Sequence, residues 1–219
     1  MYIDPLFMQF ADGIDREKFI IATYYVATER GTESVKYAAA LAVEQTTGTW
    51  TPVPGETPEV RFRHMGRVVG IYEIPAHIGP LPPEIKTRHY VIRIAFPHDN
   101  FGPNFAMQLT TVLGNVSYMG HLKLMDIEYP ESYLKEFQGP KFGVEGIRKL
   151  LGVYDRPLLN NMIKPCTGLD VQQTADLAYE VALGGVDIIK DDELVADAPH
   201  CPLIERVKAV MAKLKRADE

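Results

Sequence analysis

The sequence predicts an α/β chain in two parts: a mixed α+β domain over residues 1–140, then the start of a parallel β/α array over 141–219. Three observations predict this. Segments rich in β-branched and aromatic residues alternate with helical ones through the first two thirds. After Gly139-Pro140 the rhythm changes to β-α-β-α, which reads as a parallel sheet covered by helices. The composition, 46% hydrophobic and 24% charged over 219 residues, is that of an ordinary globular chain; it excludes collagen-like, disulfide-scaffold and disordered classes.

In order along the chain, Lys18–Thr28 (KFIIATYYVAT) predicts a strand. Glu33–Glu44 carries alanines and apolar residues at helical spacing, and Thr46–Gly48 breaks it. Val60–Ile74 and Arg88–Phe96 predict further strands; in the second the apolar and polar positions partly alternate, so one face is buried and one is wet. Pro75–Glu84 holds prolines at 75, 80, 82 and 83 and is a loop. Pro103–Leu113 predicts a helix, His121–Glu128 a strand and Glu131–Phe137 a short helix. Val144–Leu151 is helical, Leu158–Lys164 an apolar strand, and Pro165–Gly168 a turn. Asp170 is the expected N-cap of a helix running to Leu183, because its carboxylate can accept a free first-turn N–H. Gly184-Gly185 ends that helix, Val186–Lys190 is a second strand and Leu203–Lys215 a second helix. Two β/α units cannot close a (β/α)8 barrel, which takes roughly 250 residues, and a two-stranded sheet leaves apolar faces uncovered. The expectation is therefore a fragment, or a barrel completed by another polypeptide.

The formal net charge of −6 argues against nucleic acid or an anionic membrane as the main partner. Two cysteines, Cys166 and Cys201, imply no disulfide framework and a cytoplasmic location by default. Apolar runs such as Phe19–Ala22 are too short to span a bilayer, and Met1–Gln9 lacks the basic start of a signal peptide. The six histidines (64, 77, 89, 98, 121, 200) form no HxxxH or HExxH pair, so zinc is not expected, and neither GxxxxGK[ST] nor GxGxxG occurs.

The densest chemical signal is Gly184–Glu193, GGVDIIKDDE. Side chains alternate along a strand, so Lys190 and Asp192 share a face and Asp191 points away, while Glu193 can turn inward as the strand ends. The C-terminal ends of parallel strands carry catalytic groups in β/α barrels. A salt-bridged, solvated strand end has the same pattern. Lys164, in Ile163-Lys164-Pro165, ends the preceding strand and should reach the same rim. Two neighbouring lysines repel, which would lower the pKa of each and make one a proton donor or a nucleophile. Cys166 is either a reactive thiol beside Lys164 or a small half-buried residue. Glu44–Trp50 (EQTTGTW) reads by itself as a helix end, a Thr-Gly turn and a packing tryptophan; Gly114-Asn115 reads as a C-cap.

GGVDIIKDDE, MIKP, EQTTGTW, the GN at 114–115 and the bridging EFQGPKFGVEGIRKLLGVYDRPLL together resemble the large subunit of Rubisco, and most closely the Rubisco-like proteins of form IV. The resemblance runs from about Lys18 to the last residue. It implies a ferredoxin-like N-terminal domain, a (β/α)8 TIM barrel continuing beyond this chain, and a head-to-tail homodimer with composite active sites. By matched motif, Lys190 resembles the lysine that takes up CO2 as a carbamate, and Asp192 and Glu193 resemble the carboxylates that bind Mg2+ with it. Lys164 resembles the lysine that handles protons at the enediolate carbons. Glu44, Thr49, Trp50 and Asn115 resemble residues that lean over a neighbouring subunit's barrel, Thr49 and Trp50 toward a substrate phosphate.

The departures from that pattern shape the expected activity. Carboxylases carry IKPKLGL where this chain has Ile163-Lys164-Pro165-Cys166-Thr167-Gly168-Leu169, so Cys166 stands in the place of a second lysine, and Met162 in that of a threonine. The resemblance thus implies a Mg2+-dependent lyase or isomerase that enolises or decarboxylates a phosphorylated keto-sugar or sugar acid through a Mg-bound enediolate. The alternatives are a ribulose-1,5-bisphosphate carboxylase, a non-catalytic binding or assembly protein with the Rubisco fold, and a Schiff-base aldolase on Lys164 or Lys190.

Overall fold

A computed structural model describes residues 13–49 and 53–217. The chain divides into two compact units, Met1–Gly139 and Pro140–Glu219. The first is a four-stranded antiparallel sheet with helices: β1 (Phe19–Glu29), α1 (Ser34–Glu44), α2 (Pro58–His64), β2 (Arg67–Glu73), β3 (Thr87–Pro97), α3 (Phe105–Leu113), β4 (His121–Glu128) and α4 (Glu131–Leu134). The strand order β2-β3-β1-β4 is the split β-α-β arrangement of a ferredoxin-like domain. The long central pair, β1 with β3, runs in unbroken register from Phe19 opposite Pro97 to Glu29 opposite Thr87.

Alternation along that central pair builds the core. Ile20, Ala22, Tyr24 and Val26 of β1 and Ile92, Ile94 and Phe96 of β3 are fully buried, and they pack with Ala38, Leu41 and Ala42 of α1 and Val112 of α3. Each large apolar side chain so removed from water contributes about 1.5–3 kcal/mol. The Tyr24 hydroxyl, carried deep into this layer, donates to the Val112 carbonyl at 2.8 Å, and burial pushes its pKa up. Gly66 is required where the chain enters β2, because a Cβ there would run into the Ala42 carbonyl at the end of α1.

Residues 60–74, expected to be one strand, are a helix followed by a shorter strand. Thr57 caps α2 by accepting the Val60 N–H at 3.2 Å, Pro58 opens it, and Arg61, Arg63 and His64 occupy its last turn. These terminal signals outweigh the β-branched and aromatic residues that suggested a strand. Arg67 then covers the exit, donating to the Phe62 carbonyl at 2.7 Å and the Met65 carbonyl at 2.9 Å.

The second unit contains α5 (Gly143–Leu151), β5 (Asn160–Met162), α6 (Val171–Leu183), β6 (Ile188–Lys190) and α7 (Leu203–Ala217). β5 and β6 pair in parallel, with Asn160, Asn161 and Met162 opposite Ile188, Ile189 and Lys190. Both strands are shorter than the 158–164 and 186–190 expected; each has a single neighbour, and beyond the paired residues only isolated backbone bonds continue, from Ile163 to the Lys190 carbonyl and from Asp187 to the Leu159 carbonyl. The Asp187 carboxylate accepts the Leu159 N–H at 2.8 Å and two bonds from Arg156 at 2.7 and 2.8 Å. Asp170 caps α6 as expected and forms a full capping box with Gln173. Val144, Leu150, Ile204 and Met211 remain exposed, as an unclosed β/α array dictates. No helix among the described residues is long and apolar enough to cross a membrane.

Asp187 gives the second unit a defined acid limb. Its carboxyl is held down to about 2, first by the Arg156 hydrogen bond and then by the Leu159 N–H. A carboxylate depressed in the folded state stabilises the fold above its unfolded pKa of about 3.9 and loses that contribution as pH falls through its folded value. Asp187→Asn should therefore lower the urea midpoint of this unit at neutral pH and flatten its decline between about pH 4 and pH 2. Urea melts followed by circular dichroism across that range check this, and an unchanged acid limb contradicts it.

Candidate active site

The parallel register of β5 and β6 determines which side chains meet in the second unit. Ile163, one residue past β5, donates its N–H to the Lys190 carbonyl at 2.9 Å and is itself buried. Lys164 therefore emerges beside the end of β6. Its Nζ donates to Asp192 Oδ2 at 2.6 Å and to Cys166 Sγ at 3.0 Å. Lys190 Nζ donates to Glu193 Oε2 at 2.5 Å and to the Asp191 carbonyl at 3.0 Å. Asp191 faces away, as strand alternation requires, and meets Arg206 Nε of α7 at 2.8 Å.

The lysine electrostatics differ from the sequence expectation. Mutual repulsion should have lowered the Lys164 pKa; instead the carboxylate of Asp192, and then the Cys166 sulfur, push it up. Each lysine sits on a carboxylate rather than on the other lysine, and attraction at hydrogen-bond distance outweighs repulsion further away. Reciprocally, the Lys164 bond and the Leu194 N–H hold the Asp192 carboxyl down to about 2. Lys190 lowers that of Glu193. Lys164 is 55% and Glu193 73% exposed, so these pairs are solvent-screened, whereas the Asp192 side chain is buried. With two ammoniums against two carboxylates, the four groups are electrically neutral together.

Among the described residues no three His, Cys, Asp or Glu side chains gather as a metal site. A hard cation here would thus have two carboxylates, Asp192 and Glu193, and needs a further oxygen donor. Lys190, already against Glu193, provides one if its amine is carbamylated. The charge then still balances: a dication and the Lys164 ammonium against Asp192, Glu193 and an anionic carbamate. The donor chemistry therefore fits Mg2+.

In the first unit, Asn115 Nδ2 donates to Glu44 Oε1 at 3.3 Å across 71 residues of sequence. Glu44 ends α1, and Asn115 follows the Gly114 cap of α3. A Cβ at position 114 would strike the Thr110 carbonyl and the Gln45 side chain, so glycine is what lets these two ends approach. Thr49 lines a groove with Glu44, Glu56 and His64. Trp50 lies outside the described residues. Cys166 lies beside Lys164 as expected, whereas the contact of Arg206 with Asp191 was not foreseen; the available signal for it was an arginine among the apolar positions of LIERVKAVM.

Residues 11–133 match the family model described as ribulose bisphosphate carboxylase large chain, N-terminal domain, and residues 143–219 match that of its catalytic domain. A ribulose bisphosphate carboxylase-like protein of Archaeoglobus fulgidus is 51% identical over 208 residues, covering 95% of this chain and 48% of that protein. A 2,3-diketo-5-methylthiopentyl-1-phosphate enolase of Geobacillus thermodenitrificans is 36% identical over 202 residues, covering 91% and 48%. The dimeric archaeal Rubisco of Hyperthermus butylicus superposes with a TM-score of 0.71 at 28% identity, covering 95% of this chain and 46% of that one. The chain spans about half the length of the curated relatives it matches.

The Lys164–Asp192 pair makes a measurable difference to amine reactivity. In metal-free protein at pH 9, Lys164 should react more slowly with an acylating reagent than the exposed lysines, because Asp192 keeps it protonated. Asp192→Asn should accelerate that reaction several-fold, read by peptide mass spectrometry; an unchanged rate contradicts the pairing.

Proposed function

The chain belongs to the Rubisco large-chain family, and from that premise we propose that the protein is a Rubisco-like enzyme acting on a phosphorylated keto-sugar or sugar acid. The reaction is removal of a proton, or of CO2, next to a carbonyl, with isomerisation or decarboxylation through an enediolate. One observation carries this reading: at two adjacent parallel strand ends, Lys164 stands on Asp192 and Lys190 on Glu193, in the position where β/α folds assemble catalytic groups.

Lys190, Asp192 and Glu193 would hold Mg2+, with Lys190 as its carbamate. Bound there, the ion would supply positive charge where an enolate oxygen develops, usually the largest single contribution to such a reaction. The chain's own residues do the rest. Lys164 Nζ holds its proton while Asp192 is its partner, so it enters the reaction as an acid that can protonate an enediolate carbon. Drawing the Asp192 charge toward another cation removes what raises the Lys164 pKa, and Nζ can then take a proton as a base. Carbamylation requires the neutral Lys190 amine, which forms by passing a proton to solvent, and its attack on CO2 releases a second proton to solvent as the carbamate forms. Cys166, where carboxylases carry a second lysine, removes a like charge from beside Lys164, so the acid–base tuning of Lys164 differs from that of a carboxylase. Glu44, Thr49, Trp50 and Asn115 would reach the site of a neighbouring subunit in a head-to-tail homodimer, Thr49 and Trp50 toward the substrate's phosphate.

The test is solvent exchange in D2O with the product of the complete reading frame and a panel of phosphorylated keto-sugars and sugar acids. Deuterium should enter next to the carbonyl only with Mg2+ and bicarbonate present. Lys164→Met should slow exchange about 10²–10⁴-fold, the usual worth of a positioned general acid or base. No metal-dependent exchange or CO2 release from any candidate, or full activity of Lys164→Met, would sink the reading.

A further inference from the structure

We infer that Arg206 is a positioning residue that grips the loop carrying Asp192 and Glu193 at three points and so sets the geometry of both carboxylates. The inference rests on the reading of that site as a metal centre and extends it to a residue outside it. Arg206 lies on α7 and is 3% exposed. Its guanidinium uses all three nitrogens on the segment after β6: Nε to Asp191 Oδ2 at 2.8 Å, Nη2 to the Ala196 carbonyl at 2.8 Å and Nη1 to the Cys201 carbonyl at 2.7 Å. These acceptors fall at the beginning, middle and end of the loop. A planar fork with fixed N–H directions can hold three such points at once, which a lysine cannot.

Two further features show that the loop is held rather than merely adjacent. Ala196, whose carbonyl Arg206 takes, has φ +41, the only positive φ at a non-glycine among the described residues. Backbone of this kind persists where surrounding contacts over-determine it. Within the loop, Asp192 is tied down from its own side: its Oδ1 accepts the Leu194 N–H and its carbonyl accepts the Val195 N–H, both at 3.1 Å. Asp191 is thereby drawn to the helix side, and Asp192 and Glu193 are left on the side of Lys164 and Lys190. The first acid of the KDDE run, Asp191, thus serves the other two by facing the opposite way.

The product of the complete reading frame tests this with Arg206→Lys, which keeps the charge but not the fork, and Asp191→Asn. Asp191 is 47% exposed, so the second variant should fold even if the first does not. Hydrogen exchange at Leu194 and Val195, measured without metal, should speed up at least tenfold in both variants, with α6 unchanged. Mn2+ affinity in the presence of bicarbonate should fall about 10–100-fold, as when the outer support of a metal site is removed. A variant of the unrelated Lys213–Asp176 pair, Lys213→Ala, should leave Mn2+ affinity alone. Unaltered exchange and unaltered Mn2+ affinity in Asp191→Asn would overturn the inference. If the unmodified protein binds no Mn2+, the metal reading falls, and the exchange rates alone decide the clamp.

Discussion

The register of three paired residues governs the chemistry of the second unit. With Met162 opposite Lys190, the side chain of Ile163 is buried and that of Lys164 is released toward the strand end. A slip of one residue would expose Ile163 and turn Lys164 inward, since strand side chains alternate between faces. The cost of exposing an isoleucine and burying a lysine is what holds the pairing in place. The side chains of the candidate site therefore inherit their positions from a buried apolar neighbour.

The first unit solves the equivalent problem by different means. Glu44 and Asn115 lie at the ends of helices that pack on one face of the sheet, and their approach is bought by a glycine at 114. The long β1–β3 register fixes the face against which α1 and α3 pack, and Tyr24 joins that sheet to α3 through the Val112 carbonyl. A polar contact separated by 71 residues thus depends on the alternation of β1 and on one missing side chain.

Much of this was legible in the sequence, for identifiable reasons. The strand at 18–28 was readable from its β-branched and aromatic residues, and that at 88–96 from the partial alternation of its apolar and polar positions. The α6 helix was readable because Asp170 and the Gly184-Gly185 pair mark its ends. The helix at 58–64 was missed because its apolar residues, Val60 and Phe62, are β-formers on a short exposed helix whose stability comes from Thr57, Pro58 and Arg67. In the site, the alternation of Lys190, Asp191 and Asp192 was readable from strand geometry alone. Which lysine pairs with which carboxylate was not, because it depends on how the chain leaves the strand, and the sign of the Lys164 shift followed from that pairing.

The run Asp191-Asp192-Glu193 shows why those pairings matter together. Three adjacent carboxylates repel one another, and a loop carrying them has no reason to adopt one shape unaided. Each is matched by a cation from a different element: Asp191 by Arg206 of α7, Asp192 by Lys164 after β5, and Glu193 by Lys190 of β6. These partners differ in what they can give up. Arg206 is buried and bound at three points, whereas Lys164 and Lys190 are partly solvated, and each side chain can swing away from its carboxylate. A dication competing for Asp192 and Glu193 would displace partly solvated ammoniums and leave the Arg206 anchor intact. Under the proposed metal reading the loop would thus exchange cations without losing its shape, because one of its three cations is fixed and the other two are replaceable.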